Sequence, residues 1–144
     1  MQQIRQARAS DIPLIYAFDH LAVEPGRREF IKAVVNQGNT RVAVTEQQIT
    51  GYMVLEYTFY GQGFISMLYI HPQHRRRGTG TALIYQAEAQ CRTEKLFTST
   101  NTSNLPMQGL LCKLGYTPSG IINNLDEGDP EIIYFKRLQR DRAE

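Results

Sequence analysis

The chain has 144 residues, of which 42% are hydrophobic and 21% are charged, an ordinary composition for a single globular domain. Sixteen basic and fourteen acidic residues give a formal net charge of +2, which argues against a nucleic-acid backbone as the main partner. The sequence has no apolar run approaching about 18 residues and no secretory signal, so we expect a cytoplasmic protein that does not insert into a membrane. Cys91 and Cys112 are not spaced like a metal site and are expected to be reduced.

The first third of the chain is predicted to contain one strand, two helices and a hairpin. Residues 2–7 form a short predicted strand, and a helix follows with Pro13 in its first turn, where a missing N–H costs nothing. A second helix is predicted to end near Gly38, because glycine is a favoured C-cap. The strand-like runs 41–45 and 49–59 are separated by a short loop, which predicts an antiparallel hairpin.

The middle of the chain contains a strand, a basic turn and the start of a helix. An apolar run from residue 64 stops at Pro72, and the run Arg75-Arg-Arg-Gly-Thr-Gly80 follows. The first N–H groups of a helix have no intrahelical partner and lie at the positive end of its dipole, so they favour an anion. Glycines leave these amides accessible and arginines add charge, which predicts a phosphate site. Neither a nucleotide P-loop nor a dinucleotide-fold glycine pattern is present at this turn.

The second half is predicted to alternate helices and strands and to end in a hairpin. The helix after the turn is followed by a strand over residues 95–100 and a short helix that Gly115 closes. The runs 121–125 and 132–135 flank an acidic turn and are predicted to form a terminal hairpin. The predicted order is therefore β, α, α, β, β, β, α, β, α, β, β, which implies a mixed sheet.

Two motifs resemble the GNAT superfamily of N-acetyltransferases. The run Arg75-Arg-Arg-Gly-Thr-Gly80 is similar to the family's Arg/Gln-x-x-Gly-x-Gly/Ala signature, and Leu68-Tyr-Ile-His-Pro72 is similar to its fourth strand. Asn104, followed eleven residues later by Gly115-Tyr116, is the second point of resemblance. The resemblance implies an α/β (α+β) GNAT-like fold in one domain over residues 1–144, with a mixed, mostly antiparallel sheet of about seven strands and about four helices.

The resemblance implies acetyl-CoA as co-substrate. Strand backbone at residues 68–70 would pair with the amides of the pantetheine arm, and the amides of residues 76–81 would hold the pyrophosphate. Asn104 would add a polar contact near the cofactor, or it is a simple helix cap. The residues assigned to the cofactor are Leu68, Tyr69, Ile70, Arg75, Arg76, Arg77, Gly78, Thr79, Gly80, Thr81 and Asn104.

Acyl transfer to an amine requires a neutral amine and a stabilised charge on the carbonyl oxygen. Glu56 is the first choice for the general base, because it is the only acidic or basic residue in the strand-like run 49–59. Burial among such residues would raise the pKa of a carboxylate toward the range of a working base. The alternative is a solvated glutamate that faces outward. The backbone N–H of Leu68, on the central strand, is the predicted donor to the oxyanion.

Two positions depart from the family pattern. Ser66-Met67 stands where several members have a glutamate on the fourth strand, and Leu111 stands where many have a tyrosine that protonates the leaving thiolate. Tyr134 is therefore a candidate acid, together with Tyr69 and Tyr116. A thiol with a pKa of about 8.5 to 9 is also a tolerable leaving group without an acid.

The acceptor is predicted to be a primary amine of a small molecule, peptide or protein. Asp126, Glu127 and Asp129 in the acidic turn would attract a cationic amine, or they are simply solvated. No metal is expected, because His71 and His74 have no Cys, Asp or Glu nearby in sequence to complete a ligand set.

Three functions are compatible with parts of this sequence. The leading one is an acetyl-CoA-dependent N-acetyltransferase that works by direct attack in a ternary complex, and the second is a catalytically silent acyl-CoA-binding sensor, which Leu111 favours. The third, a nucleic-acid-binding module using the three arginines, conflicts with the near-neutral charge. The sequence leaves the identity of the acceptor and the choice between monomer and homodimer open.

Overall fold

The structure of the protein is a computed structural model, and it describes residues 2–138. The strands are β1 (Gln2–Gln6), β2 (Thr40–Thr45), β3 (Gln48–Phe59), β4 (Gln62–Ile70), β5 (Lys95–Asn101), β6 (Thr117–Ile122) and β7 (Glu131–Arg137). The α-helices are α1 (Ile12–Phe18), α2 (Pro25–Asn36), α3 (Thr79–Gln90) and α4 (Leu105–Lys113). Their order along the chain is the order predicted from the sequence.

The seven strands form one mixed sheet in the order β1-β2-β3-β4-β5-β7-β6. The pairs β1·β2, β2·β3, β5·β7 and β6·β7 are antiparallel, whereas β4·β5 is parallel. This confirms the predicted fold class of a mixed, mostly antiparallel sheet with four helices. By its internal contacts the chain divides into two compact units, with boundaries after Leu55, after Ser66 and after Ala89. The single-domain organisation expected from the sequence stays a prediction.

The first unit contains β1, β2, α1 to α3 and the parts of β3 and β4 up to Leu55 and from Met67. Apolar side chains from α1, α2 and the strands form its core, because each helix turns one apolar face toward the sheet. The buried members of this core are Ala7, Ile15, Ala22, Ile31, Val34, Val35, Val42, Ile49, Tyr52, Val54 and Tyr69. Gly38 has a φ of 78° and follows α2, which confirms its predicted role at the helix C-terminus.

Two-residue turns join β2 to β3 and β3 to β4. Both residues of each turn have positive φ, with 50° at Glu46, 67° at Gln47, 53° at Tyr60 and 74° at Gly61. These values are typical of the tight turn whose twist matches that of the flanking strands. The loop predicted from the sequence is one residue longer at the first turn, because β3 already begins at Gln48.

The second unit is built from β5, β6, β7 and α4, with the segment from Glu56 to Ser66. Aromatic rings of four strands contact one another, with centroids 4.9 Å apart for Phe59 and Phe64, 5.2 Å for Phe59 and Phe97, and 5.7 Å for Phe97 and Phe135. Gly115 has a φ of 94° at the end of α4, as predicted for a C-cap.

The first strand of the terminal hairpin is misplaced in the sequence prediction, which gave residues 121–125. In the structure, β6 begins at Thr117 and ends at Ile122, and its register shifts between Pro118 and Gly120. The run of Pro, Ser and Gly has little strand character, yet it pairs with β7 at the edge of the sheet, where Pro and an irregular register are tolerated.

Gly51 lies where two strands of the first unit and α3 approach closely. A methyl group there would be 2.9 Å from Ile70 Cδ1, 3.1 Å from the Tyr69 carbonyl oxygen and 3.3 Å from Thr79 Cγ2. We expect Gly51→Ala to lower the free energy of unfolding by about 1 to 3 kcal/mol, because the backbone oxygen cannot move away. Gly109→Ala in α4 is the matched control, because its methyl group meets nothing within 4 Å and alanine favours a helix. Chemical denaturation measures both, and an equal effect of the two changes would contradict the steric argument.

Among residues 2–138, no helix has both the length and the apolar character needed to cross a membrane.

Candidate active site

The basic turn connects β4 to α3 in the first unit. A short 3₁₀ helix, Pro72–His74, follows β4, and Arg76 and Gly78 then adopt positive φ of 64° and 79° before α3 begins at Thr79. The Ala82 N–H donates to the Gly78 carbonyl oxygen at 3.0 Å. The N–H groups of residues 79–81 therefore lie before the first hydrogen bond of a 12-residue helix, at its positive end. This arrangement suits an anion.

The three arginines of the turn are exposed and have different surroundings. Arg75 Nε donates to the Ile70 carbonyl oxygen at 3.2 Å, and its guanidinium carbon lies 5.6 Å from the centre of the Tyr69 ring. Arg77 Nη1 lies 3.5 Å from His74 Nδ1. Arg75 is thus held against the end of β4, while its other N–H groups stay available to a ligand.

Strand β4 continues past the segment that pairs with β5. The parallel register joins Gly63, Phe64 and Ile65 to residues 96–98, and β4 then extends to Ile70. Within this extension Tyr69 is buried, whereas Leu68 and Ile70 are half-buried. Residues 68–70, predicted to present polar backbone to the pantetheine, do lie on a strand, and this strand ends directly before the basic turn.

Glu56 lies on β3 in the second unit. Its carboxylate accepts a hydrogen bond from the Ser66 hydroxyl of β4, and the side chain is half-buried. Ser66 occupies the part of the fourth strand where several family members have a glutamate. Strand β3 thus places the carboxylate of Glu56 next to Ser66, a position of β4 that has no carboxylate of its own.

Tyr134 lies on β7 and is 5% exposed. Burial raises the pKa of its hydroxyl, and the neighbouring Cys112 raises it further. Leu111 on α4 is apolar and has no solvent exposure, so its side chain cannot donate a proton. Tyr116 is also buried and has Lys136 Nζ 5.5 Å from its ring centre.

The acidic turn is tied to the connection between β5 and α4. Asp129 accepts hydrogen bonds from the Thr102 hydroxyl at 2.9 Å, the Ser103 N–H at 2.9 Å and the Ser103 hydroxyl at 2.6 Å. These donors, the Ser103 hydroxyl foremost, hold the pKa of Asp129 below its usual value. Asp126 accepts from Asn101 Nδ2 at 2.9 Å, and Glu127 is exposed. Two of the three carboxylates predicted to attract the acceptor thus also hold a turn together.

Asn104 caps α4. Its side-chain oxygen accepts a hydrogen bond from the Met107 N–H at 3.2 Å. The capping interpretation of this residue is therefore observed, and its contact with a cofactor stays a prediction. Cys91 is buried and Cys112 is exposed. Within the described part of the chain, no three His, Cys, Asp or Glu side chains are grouped so that they could hold a metal ion.

A buried ionic network in the first unit was not predicted from the sequence. The Asp19 side chain has no solvent exposure, and its Oδ2 accepts from Arg27 Nε at 2.9 Å and from the Tyr52 hydroxyl at 2.5 Å. Burial, followed by the bond to Asp19, raises the pKa of Tyr52. The only signal in the sequence is an acidic residue directly after the apolar end of a helix, between Phe18 and His20.

His20 and Tyr69 form a second unpredicted contact in the same unit. His20 Nδ1 and the Tyr69 hydroxyl are hydrogen-bonded, and their ring centres are 5.6 Å apart. The two residues are 49 positions apart in sequence, so no local pattern could have paired them.

The chain thus has a mixed sheet with a basic turn at the start of a helix, and comparison with known proteins identifies its family. The model of the acetyltransferase (GNAT) family matches residues 3–116, so the chain belongs to the GNAT family of acetyltransferases. A GNAT-family acetyltransferase from Bacillus cereus ATCC 10987 is 33% identical, with a TM-score of 0.90 over 97% of this chain and 99% of that one. A comparison with curated protein sequences gave no match.

More distant structures share the fold. The ribosomal-protein-S18-alanine N-acetyltransferase of Escherichia coli is 17% identical and has a TM-score of 0.80, over 99% of this chain and 97% of that one. The protein yncA of Salmonella typhimurium, solved with its cofactor acetyl-CoA, is also 17% identical and has a TM-score of 0.76, over 99% of this chain and 96% of that one. The match to the family model and the 33% identical relative confirm the predicted family.

Proposed function

We propose that this chain transfers the acetyl group of acetyl-CoA to a primary amine. The observation that carries the proposal is the turn between β4 and α3, where two residues with positive φ, exposed arginines and the amides of a helix start lie together. A pyrophosphate is the part of acetyl-CoA that such a site recognises.

The cofactor roles follow the resemblance. The N–H groups of residues 76–81 and the side chains of the three arginines would bind the pyrophosphate. The backbone of Leu68, Tyr69 and Ile70 would pair with the pantetheine amides, which β4 supports by extending past its last pair with β5. Asn104 would contribute a polar contact beside its capping bond. In this proposal acetyl-CoA is the co-substrate, and no metal ion takes part.

The chemistry is a direct attack of the amine on the thioester. The amine nitrogen forms a bond to the carbonyl carbon, the carbon–sulfur bond breaks, and coenzyme A leaves as a thiolate that takes up a proton. Glu56 is the proposed base that takes a proton from the amine nitrogen, and the Leu68 N–H is the proposed donor to the oxyanion. Tyr134 is the proposed proton donor to the thiolate, because a tyrosine hydroxyl carries its proton at neutral pH.

The acceptor is proposed to be a cationic amine of a small molecule, a peptide or a protein. The acidic turn supports this proposal, because Asp126, Glu127 and Asp129 place negative charge on one loop of the second unit. Charge of this kind raises the local concentration of a cation even where individual carboxylates hold structural bonds.

Two measurements test the proposal. Acetyl-CoA at about 100 times its dissociation constant should raise the free energy of unfolding by about 2.7 kcal/mol, which a thermal shift detects. Release of free thiol with a panel of polyamines, aminoglycosides and peptides should identify an acceptor. An unchanged melting temperature at saturating acetyl-CoA would contradict cofactor binding.

A catalytically silent acyl-CoA sensor is the second candidate. It is favoured by Leu111, which is fully buried where many family members have a tyrosine that protonates the thiolate. Acetyl-CoA would then stabilise the protein, while no amine in the panel would release thiol. The two measurements together separate the enzyme from the sensor.

We expect Glu56→Gln to lower kcat at neutral pH by about 100-fold or more, because the amide cannot accept a proton. The ascending limb of the pH profile should change as well, and the affinity for acetyl-CoA should not. Glu46→Gln in the exposed turn after β2 is the matched control and should leave kcat unchanged. A pH profile of Glu56→Gln that superimposes on that of the unaltered protein would exclude Glu56 as the base.

A further inference from the structure

The proposed reaction removes two protons from the acceptor nitrogen. The amine arrives as an ammonium ion and loses one proton before its lone pair can attack the carbonyl carbon. Once the nitrogen–carbon bond has formed, a second proton leaves, while the thiolate takes up one. One proton is therefore released to solvent in each turnover, and Glu56 holds only one proton at a time, which leaves room for a second group that accepts the other. The inference below rests on the proposed function and concerns the first of these protons.

His20 and Tyr69 in the first unit have the arrangement of such an acceptor. His20 Nδ1 is hydrogen-bonded to the Tyr69 hydroxyl oxygen, and the His20 backbone N lies 3.5 Å from the same oxygen. Tyr69 is 9% exposed, whereas His20 is exposed. Nδ1 of His20 is therefore bonded within the protein. The other ring nitrogen, Nε2, belongs to an exposed side chain.

The position of His20 is fixed by the residue before it. Asp19 Oδ1 accepts a hydrogen bond from the Leu21 N–H at 3.0 Å and so caps the 3₁₀ helix His20–Val23. Its other oxygen is bound to Arg27 and Tyr52, and the carboxylate is fully buried. The backbone beside His20 is thus held by Asp19 and its ring by the bond to Tyr69, and such positioning is what a proton acceptor requires.

The charged and titratable groups around the pair come from four elements. Arg27 of α2 and Arg75 of the basic turn lie 6.0 Å and 5.6 Å from the centre of the Tyr69 ring. Arg27 is paired with Asp19, and Tyr52 of β3 has a raised pKa through burial and stays protonated. His71 contacts the Phe18 ring, with centroids 5.2 Å apart.

Among these groups, His71 and His20 are the two imidazoles that could accept a proton from a ligand. Burial lowers the pKa of His71, and His74 and Arg75 lower it further, so His71 is neutral there and takes up a proton less readily than an ordinary imidazole. Histidine is the side chain whose ordinary titration falls closest to physiological pH. Among the groups packed around Tyr69, the imidazole of His20 is exposed and has one ring nitrogen outside its bond to Tyr69, so it is placed to accept a proton from a ligand.

We propose that His20 Nε2 accepts the proton that the incoming ammonium ion loses before it attacks acetyl-CoA, with Tyr69 as the positioning residue. In this arrangement Nδ1–H donates to the Tyr69 oxygen, which leaves the lone pair on Nε2. The N–H bond of the ammonium ion breaks, an Nε2–H bond forms, and the imidazolium returns its proton to water after the product leaves.

The test uses His20→Gln and Tyr69→Phe in the full chain, with the amine that the unaltered protein acetylates best. His20→Gln should lower kcat/KM at neutral pH by about 100-fold, because general base catalysis is lost. The loss should shrink about tenfold for each unit of rising pH, because more of a primary amine with a pKa of about 10.4 is then already neutral. Tyr69→Phe should lower kcat/KM by about 10-fold, and His20→Gln should not alter acetyl-CoA affinity in a calorimetric titration.

Two further variants separate chemistry from structure. His20→Ala should regain activity when imidazole is added to the solution, which a purely structural defect would not do. Val23→Gln, at an exposed position of the same 3₁₀ helix, should keep the activity of the unaltered protein. If the unaltered protein releases no thiol with any amine, the proposed function itself is wrong. If it is active and His20→Gln has the same pH profile, only the role of His20 is overturned.

Discussion

Gly80→Asp should abolish acetyl-CoA binding while leaving the fold intact. Gly80 is the second residue of α3, so its side chain would project beside the free amides of the helix start. A carboxylate there would repel the pyrophosphate, and a repulsion of several kcal/mol lowers the affinity by at least about 100-fold. The same carboxylate favours the helix, because it lies at the positive end of the dipole. Without ligand, the melting temperature should therefore stay the same or rise.

Gly26→Asp is the matched control for this change. Gly26 is also the second residue of a 12-residue helix, α2, and a methyl group there would meet nothing within 4 Å. It should bind acetyl-CoA like the unaltered protein, and calorimetric titration of both variants gives the comparison. Equal affinities for the two aspartate variants would contradict the assignment of the pyrophosphate to the start of α3.

Asp19→Ala should cause the largest loss of stability among single changes of charged residues. The change removes a carboxylate with no solvent exposure and leaves the Arg27 guanidinium, whose side chain is 14% exposed, without this partner. It also removes the acceptor of the buried Tyr52 hydroxyl. Breaking a buried pair on one side costs about 3 to 5 kcal/mol, which corresponds to a fall of about 10 °C or more in melting temperature.

The pair Arg137–Glu94 provides the comparison. Its N–O distance is 3.4 Å, and both side chains are more than half exposed. Arg137→Ala should change the free energy of unfolding by less than about 1 kcal/mol, because exposed ion pairs contribute little. Urea denaturation of the two variants measures both values. A similar, small effect of Asp19→Ala would mean that the network around Asp19 does not stabilise the protein.

The features that the sequence predicted well are those with local causes. Gly38 and Gly115 follow helices and adopt the left-handed conformation that their positions require. The basic turn was found because the arginines, the glycines and the helix start lie within six residues. Each of these signals depends on backbone chemistry of neighbouring residues, which a sequence displays directly.

The features that were missed depend on contacts between distant residues. Asp19 and Tyr52 are 33 positions apart, and nothing next to Asp19 in sequence shows that its carboxylate is buried. The start of β6 at Thr117 was missed because its Pro, Ser and Gly are poor strand formers, and only the pairing with β7 makes them a strand. The acidic turn was interpreted as a charge cluster, whereas Asp129 also binds residues 102 and 103 through its side chain.

The insertion of β7 between β5 and β6 has a consequence for how the chain is made. Synthesis delivers β5 and β6 before β7, so until residues 131–137 have left the ribosome β6 has no partner and β5 can pair only with β4. During that interval both strands present unpaired N–H and C=O groups, the kind of edge through which chains associate wrongly. Closure of the second unit is therefore a late, non-local event, and it covers these edges only when β7 has been added.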